Sequence, residues 1–259
     1  KMAGSFVVIG ARGNTGKALV KFLAEQPAET VGEIRALVRD LSTVSADALS
    51  CDARVNFVQG DVTQPGSLRA AFKGAHGAFF VAAGKGYEAC VATDQVGVEN
   101  VAKCALECGV RRVVLVSSQL VHPVNRWHPI RGILNTINTG ILRRYGMMDF
   151  KFAGEQLLRR SGQEYCIVRP GRLMENYQNS ADRTCAVGQC NVSFLKGGEI
   201  THSDLAQVCF AALLAPCTKN VTFEVATKPG PIVPIDDRLL QQAELSPSWD
   251  KNWTEGILC

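Results

Sequence analysis

The chain has 259 residues, of which 46% are hydrophobic and 20% charged, so it can bury a large core, and the composition excludes a disordered or low-complexity protein. Its net charge of +4 is too small to indicate a nucleic-acid-binding or membrane-surface protein without a local basic cluster, and the nearest candidate is the pair Arg143-Arg144. The longest apolar stretches, 77–83 and 208–215, are much shorter than the roughly 18 residues that a membrane span needs.

Cysteine usage and the first residue bear on the cellular compartment. The ten cysteines and the sequons at Asn191, Asn220 and Asn252 are compatible with a secreted protein. The cysteines are scattered, however, without a Cys-x-x-Cys pair or zinc-type spacing, so we interpret them as reduced packing residues and expect no metal site. The chain starts at Lys1 and enters a strand-like run at Ser5, so we expect a trimmed N-terminus that leaves the organelle unreadable.

The first elements in chain order are a strand, a glycine turn and a helix. An apolar run at 5–9 leads into glycines spaced as G-x-x-G-x-x-G, and apolar residues follow at helical spacing. Such a turn brings backbone N–H groups close to a pyrophosphate at the helix N-terminus. The turn predicts a dinucleotide site that contains Gly10, Arg12, Gly13, Asn14, Thr15 and Gly16.

A second strand, 33–40, ends near the place where the adenosine ribose is read. Arg39 there offers a guanidinium fork to a 2′-phosphate, and Arg12 in the glycine turn could approach the same group. Asp40 would instead favour NAD, but it lies past the strand end, where we expect it to cap or to face solvent. The two arginines favour NADP(H).

Further strands are predicted at 55–59, 77–81, 112–117 and 164–169, and a long helix at 87–108 stops at Gly109. Asp61 and Val62 would reach the adenine, although a turn role for Asp61 is equally compatible, and Ala82 could lie under the cofactor. The alternation predicts an α/β fold, a doubly wound parallel sheet of Rossmann type in a single domain over 1–259. Residues 172–259, with a helix at 204–214 and a strand at 223–226, would contribute a small C-terminal substrate lobe.

Together these segments resemble the atypical, NmrA-like branch of the short-chain dehydrogenase/reductase superfamily. The resemblance rests on the glycine turn, 36–39, 60–62, 99–101, 108–118, Lys151 with Glu155, 167–171 and 199–206, which together extend over nearly the whole chain. Segment 135–158 is similar to single-domain members from plant and algal plastids and from cyanobacteria. This implies a plastid stroma location, with the cytoplasm as the alternative.

The resemblance also implies site residues. Ser117 or Ser118 and Lys151 would line the nicotinamide site, with Lys151 on the ribose and the Pro170-Gly171 backbone near the carboxamide. Catalytic members carry Tyr-x-x-x-Lys, whose tyrosine donates the proton. Met147 stands at that position, and a thioether cannot protonate an alkoxide.

Other proton donors and substrate contacts come from the loop that follows the fifth strand. His122 is the best substitute acid because imidazole titrates near neutrality, although a surface-loop role is also compatible. Tyr145 would point about 120° away from Lys151 on a continuous helix. His128, Trp127 and Arg172 are further candidates, His202 is interpreted as structural, and the apolar segment 132–141 as a lid or a docking surface.

Three functions fit this pattern. The leading hypothesis is an NADPH-dependent oxidoreductase that transfers hydride to a conjugated small molecule such as a quinone, flavin or tetrapyrrole, because delocalised charge needs less acid assistance. The rival is a non-catalytic nucleotide-binding subunit or assembly factor of a larger plastid or membrane complex, with that complex as its protein partner. A redox sensor that responds to NADPH is the third. No nucleic-acid-binding element is expected.

Overall fold

A computed structural model describes residues 3–44, 52–140, 145–177, 182–189 and 198–247. Ten β-strands lie within these ranges: Gly4–Ile9 (β1), Val31–Val38 (β2), Val55–Gln59 (β3), Gly77–Phe80 (β4), Arg112–Val116 (β5), Tyr165–Pro170 (β6), Arg172–Met174 (β7), Arg183–Gly188 (β8), Glu199–Thr201 (β9) and Val221–Pro229 (β10). The pair Arg143-Arg144 and the sequons at Asn191 and Asn252 lie outside the described residues.

The strands form one sheet in the order β3-β2-β1-β4-β5-β6-β10-β9-β7, and β8 pairs with β10. Strands β1 to β6 and β10 are parallel, whereas β8 and β9 run antiparallel to β10. The order reverses between β1 and β4, which is the place where open α/β sheets bind ligands beyond the carboxyl ends of their strands. The predicted doubly wound parallel sheet is confirmed.

The helices in the described residues are Asn14–Ala24 (α1), Pro65–Phe72 (α2), Tyr87–Cys90 (α3), Val98–Glu107 (α4), Pro129–Thr139 (α5), Met147–Arg160 (α6), His202–Leu214 (α7) and Asp237–Gln242 (α8). Strands β1, β4 and β5 are buried along their whole length, which explains their near-continuous apolar sequences. One core cluster lies between the sheet and α1 with α7, and the other between the sheet and α2 with α4. The two covered faces leave the strand ends as the place for a ligand.

Strands β7 to β10 form the edge of the sheet beyond β6, and the same part of the chain contributes α7 and α8. Arg112 at the start of β5 is 1% exposed and donates hydrogen bonds to the carbonyls of Ala212, Leu213 and Ala215 at the end of α7. These carbonyls lack partners within the helix, so one buried guanidinium caps α7 and ties it to the sheet. Helix α7 therefore holds the C-terminal segment firmly against α1.

The helix predicted at 87–108 is interrupted, because residues Val91–Gly97 adopt a π-helical conformation between α3 and α4. Gly154 of α6 packs against this segment, and a Cβ there would lie 2.0 Å from the Asp94 carbonyl oxygen. The π-helical turn thus accommodates the close approach of α6. Such turns occur often at functional sites.

Candidate functional site

The glycine turn joins β1 to α1 in a tightly packed arrangement. Gly10 has φ +89°, and a Cβ there would lie 2.7 Å from the backbone nitrogen of Ala82. A Cβ on Gly16 would lie 2.1 Å from the carbonyl oxygen of Gly10, so α1 starts directly against the strand. Gly13 is the N-cap of α1, and no side chain caps the helix. The free helix N-terminus, the exposed Asn14 side chain and the absence of an acid in the first turn fit a bound pyrophosphate.

Thr15 connects the glycine turn to the C-terminal lobe. Its side chain is buried, and Oγ1 lies 2.8 Å from Nδ1 of His202, the first residue of α7. Thr201 is the N-cap of α7 and accepts the N–H of Asp204, so His202 is part of a structured helix start. The Thr15 hydroxyl therefore positions α1 against α7.

The two arginines that favour NADP(H) lie at the carboxyl end of the sheet. Arg12 and Arg39 are both exposed. Two hydrogen bonds from Ser42 lower the pKa of Asp40, and the charge of Arg12 lowers it further. Asp40 caps the turn that follows β2, because its Oδ1 accepts the Ser42 N–H at 2.8 Å and the Ser42 hydroxyl at 2.7 Å. Asp40 is thus used locally, and Arg12 and Arg39 follow the carboxyl ends of β1 and β2.

Asp61 and Val62 follow β3. Asp61 Oδ1 accepts both the N–H and the hydroxyl of Thr63 at 2.8 Å, which is the geometry of a turn. The Val62 carbonyl accepts a hydrogen bond from Asn100 Nδ2 at 2.8 Å, and its side chain packs on Gly97. Asp61 thus shapes the turn after β3, and the Val62 carbonyl anchors α4.

A small buried space at the ends of β4 and β5 brings Ser117, Lys151 and Ala82 together. Its volume is about 10 Å³, close to that of one water molecule. Lys151 Nζ lies 2.8 Å from Oδ1 of Asp94, whose Oδ2 accepts the Gly84 N–H at 2.9 Å. The lysine is therefore fixed by a carboxylate from the π-helical turn. The buried Ser117 hydroxyl lines the same space and interacts with the carboxylate of Glu155.

A second buried charge cluster supports α6 one turn after Lys151. The carboxylate of Glu155 binds Arg169 Nε at 3.0 Å and also contacts Arg159, and all three side chains are almost completely buried. Burial raises the pKa of Glu155, but the charges of Arg169 and Arg159 outweigh that effect and lower the pKa to about 2. The cluster fixes α6, and hence Lys151, to β6.

The candidate proton donors lie near the N-terminal end of helix α6. His122 is buried, its Nδ1 accepts the Val124 N–H at 3.2 Å, and its ring packs on Phe152. Burial and the nearby charge of Arg169 lower the pKa of His122 to about 4, so the imidazole is neutral at physiological pH. Met147 is the first residue of α6 and lies one helical turn before Lys151. Tyr145 precedes Gly146, the N-cap of α6, and therefore lies outside the helix. The angle of about 120° from Lys151 that is expected on a continuous helix does not apply to it.

The remaining sequence candidates are spread around the site. The Pro170 carbonyl accepts the N–H of Gln119 at 3.2 Å, which joins the two loops after β5 and β6. Arg172 is largely exposed and lies 3.6 Å from Glu199, and His128 caps α5. Trp127 is 89% exposed and packs on nothing in the C-terminal lobe that the structure describes.

The C-terminal lobe holds a larger cavity of about 320 Å³, which is within the size range of small-molecule sites. Its lining combines polar side chains with the apolar loop after β10 and comprises Arg183, Cys185, Asp204, Gln207, Thr227 and residues 232–235. Tyr177 donates a hydrogen bond to Asp204, and Arg183 stacks on the Tyr177 ring. All of the lining residues lie between Arg183 and Ile235.

Sequence reasoning missed Asp94 entirely and gave Arg169 no role. Asp94 lies in a stretch that reads as an ordinary helix, and only the π-helical turn directs its carboxylate to Lys151. For Arg169 a signal was present, because a charged residue within an otherwise apolar strand must find a partner when it is buried. Its partner Glu155 stood out in the sequence only as part of the resemblance to a known family.

The described residues contain no helix that is long and apolar enough to cross a membrane, and no cluster of potential metal ligands. The seven cysteines within them are free thiols, and five of these are buried. Burial raises the pKa of Cys185 to about 12. The described cysteines are therefore packing residues.

The chain is similar to known proteins in sequence and in fold. The chain is 27% identical over 229 residues to an uncharacterized sugar epimerase of Bacillus subtilis, with 87% of this chain and 95% of the other covered. It is 27% identical to an uncharacterized chloroplast protein of Arabidopsis thaliana over 86% of this chain and 69% of the other. A short-chain dehydrogenase/reductase from Veillonella parvula, solved with NADP, superimposes with a TM-score of 0.66 at 19% identity, covering 88% and 96%.

The model of the NAD(P)H-binding family matches residues 10–216, which include the glycine turn, Lys151 and the start of the C-terminal lobe. The resemblance to an atypical short-chain dehydrogenase/reductase is confirmed at this level. The chain therefore belongs to the NAD(P)H-binding family.

Proposed function

We propose that the protein is an NADPH-dependent oxidoreductase that transfers hydride to a conjugated small molecule such as a quinone, a flavin or a tetrapyrrole. The observation that carries this proposal is that the buried Ser117 hydroxyl and the fixed ammonium of Lys151 line one small space at the carboxyl end of β5. When bound, NADPH supplies the hydride. The residues of this chain bind and orient the nucleotide and the acceptor.

Each residue has a defined task in the proposal. The N-terminus of α1 binds the pyrophosphate, and Arg12 and Arg39 bind the 2′-phosphate. Lys151, held by Asp94, donates hydrogen bonds to the nicotinamide ribose. The Ser117 hydroxyl donates to the acceptor. Because Met147 cannot supply a proton, the acceptor must delocalise the charge that it receives until solvent protonates it.

The preference for NADPH can be tested with two arginine variants. Arg12→Ala and Arg39→Ala each remove a charge-assisted contact, so we expect each to weaken NADPH binding about tenfold and to leave NADH binding nearly unchanged. The matched control is Arg238→Ala, an exposed arginine of α8. Equal losses for both nucleotides would contradict the assignment of the 2′-phosphate site.

Turnover is tested by following NADPH oxidation with quinone and flavin acceptors. Lys151→Met and Ser117→Ala should each reduce the rate strongly, whereas Lys103→Met, which removes an exposed lysine of α4, should not. Tight NADPH binding without oxidation by any acceptor would contradict an oxidoreductase.

Met147 favours a second candidate, a nucleotide-binding subunit or assembly factor that lacks catalysis. For this second function we propose a protein partner in a larger complex. For both functions we propose a plastid location, which the chloroplast relative from Arabidopsis thaliana supports. Native mass measurement of the protein from its source discriminates the two. A catalytically sufficient monomer or homodimer would exclude the subunit.

A further inference from the structure

The cavity in the C-terminal lobe lies on the opposite face of the sheet from helix α6. Cys185 in its lining belongs to the core cluster that α1 and α7 cover, whereas Leu158 of α6 belongs to the cluster on the other face. In the part of the chain that the structure describes, the lining shares no residue with the small space that contains Ser117 and Lys151. The cavity is therefore a separate candidate site, and the proposed hydride transfer gives it no role.

Two opposite charges line this cavity without pairing with each other. Arg183 of β8 and Asp204 of α7 are both half-buried, and neither forms an ion pair with another described residue. Tyr177 lies between them, because Arg183 stacks on its ring with 4.8 Å between the guanidinium carbon and the ring centre, and its hydroxyl donates to Asp204. Two charges that are held apart in one cavity can each bind a complementary charge of a ligand.

The guanidinium of Arg183 is fixed on one side only. Its Nε donates to the hydroxyl oxygen of the buried Thr227 at 3.1 Å, and the Tyr177 ring supports its flat face. Thr227 is held in turn, because its hydroxyl donates to the Glu199 carbonyl at 2.7 Å. Neither terminal nitrogen of Arg183 donates to a described residue, so both remain for a ligand. A guanidinium edge with two donors matches a carboxylate.

Asp204 contributes the opposite charge from the first turn of α7. Its Oδ2 accepts the Tyr177 hydroxyl, whereas its Oδ1 accepts no hydrogen bond from a described residue and can bind an ammonium group. A ligand with only a carboxylate would be repelled by Asp204, and a ligand with only an amine would be repelled by Arg183. The pair of charges therefore selects a ligand that carries both.

The remainder of the lining is mostly apolar. The loop after β10 contributes the side chains of residues 232–235, all of which are apolar. Burial raises the pKa of Cys185 to about 12, so its thiol is neutral and adds to the apolar lining. The volume of about 320 Å³ lies at the lower end of the range for small-molecule sites, so the cavity suits a small ligand with an apolar part.

We propose that this cavity binds a free α-amino acid with an apolar side chain. Its carboxylate would bind Arg183, its ammonium Asp204, and its side chain would pack on residues 232–235. Because one tyrosine side chain contacts both charged residues, a ligand as small as an amino acid can reach both. The proposal concerns binding at a separate site and does not depend on NADPH turnover.

Titration calorimetry of the unchanged full chain tests the proposal with L-leucine and three relatives. Isocaproate is leucine without its ammonium, isoamylamine is leucine without its carboxylate, and L-serine keeps both charges but lacks the apolar side chain. We expect L-leucine to bind at millimolar concentration or below, and each relative to bind at least about tenfold more weakly. Absence of L-leucine binding would overturn the proposal, as would equal binding of isocaproate or isoamylamine.

Two variants assign each charge of the ligand to its residue. Arg183→Gln and Asp204→Asn should each weaken L-leucine binding about tenfold, whereas Arg238→Gln, which removes an exposed arginine of α8, should leave it unchanged. Thermal unfolding verifies that the variants are folded. Equal effects of Arg183→Gln and Arg238→Gln would contradict the assignment of the carboxylate to Arg183.

The same variants distinguish charge recognition from a change in the shape of the cavity. Asp204→Asn removes the repulsion of a lone carboxylate, so isocaproate should approach L-leucine in affinity, and Arg183→Gln should do the same for isoamylamine. An equal loss for all ligands in both variants would indicate a deformed cavity and contradict the proposal. The comparison of the ligands on the unchanged chain decides the question even if a variant does not fold.

Discussion

Asp94 controls the position of Lys151, because its carboxylate binds both the lysine ammonium and the Gly84 N–H. The pair is nearly inaccessible to solvent, at 11% exposure for Lys151 and 2% for Asp94. We expect Asp94→Asn to lower the free energy of unfolding by about 3 kcal/mol, since it leaves a buried ammonium without its counter-charge. Urea denaturation measures this. Glu99→Gln, which removes the exposed pair of Glu99 with Lys103, should cost less than about 0.5 kcal/mol, and similar costs would contradict the argument.

Glu155 should make stability depend on pH in the acid range. Its pKa is about 2 in the folded chain against an ordinary value of 4.5, so the unfolded chain binds more protons between these values. The stabilisation is complete above pH 4.5 and is lost as the pH falls toward 2, a difference of about 3 kcal/mol. Glu155→Gln should therefore destabilise much more at pH 7 than at pH 2.5. A cost that is independent of pH would contradict the buried ion pair.

His122 should remain neutral through the range in which an imidazole usually titrates. Burial and Arg169 lower its pKa to about 4 from 6.5, so its NMR resonances should be constant from pH 8 to pH 5, and a His122→Asn variant assigns them. Protonation then costs stability as the pH falls from 6.5 toward 4. A midpoint near 6.5 would restore His122 as a candidate acid and contradict its buried environment.

At the scale of elements, two helical glycines should respond to alanine in opposite directions. A Cβ on Gly154 would lie 2.0 Å from the Asp94 carbonyl oxygen and would push α6 away from the π-helical turn. We expect Gly154→Ala to cost about 2 to 3 kcal/mol and to weaken NADPH binding through Lys151. Gly132 of α5 has nothing within 4 Å, so Gly132→Ala should stabilise by about 0.5 to 1 kcal/mol. Thermal unfolding of both variants tests this contrast.

The elements also show what could be predicted from the sequence. Strands β1 to β6 were predicted closely because buried parallel strands are continuous apolar runs bounded by turns. Strands β7 and β9 have three residues each, which is too short for any period to show. Segment 132–141 was interpreted as a lid or a docking surface, and its residues up to Thr139 belong to helix α5. Its apolar pattern indicates which side of α5 is hydrophobic, whereas only the contacts of Arg131 reveal that this side faces outward.

The same limit applies to the candidate site. The glycine turn is a local signal in the sequence, whereas Ser117 and Lys151 could be assigned only through the resemblance to a known family. Asp94 lies far from Lys151 in sequence, and its role depends on one π-helical turn.

At the scale of the whole molecule, the nucleotide should stabilise both the sheet and the C-terminal lobe. Helix α7 begins at the contact of Thr15 with His202 and ends at Arg112, so it joins the candidate nucleotide site to the opposite end of the sheet. At NADPH concentrations of 100 times Kd we expect about 2.7 kcal/mol of added stability, and a rise in Tm of about 5 to 10 °C. Hydrogen exchange should slow in α7 as well as in α1. Slowing confined to α1 would contradict this coupling.

Strand β10 has a consequence for the order in which the chain folds on the ribosome. It is made after β7, β8 and β9, yet it lies between β6 and these strands and pairs with β6, β8 and β9. The nucleotide-binding strands β1 to β6 can pair while synthesis continues, but the edge strands have no place in the sheet until residues 221–229 emerge. The nascent chain thus passes through a stage with an open β6 edge, which is the stage most exposed to aggregation.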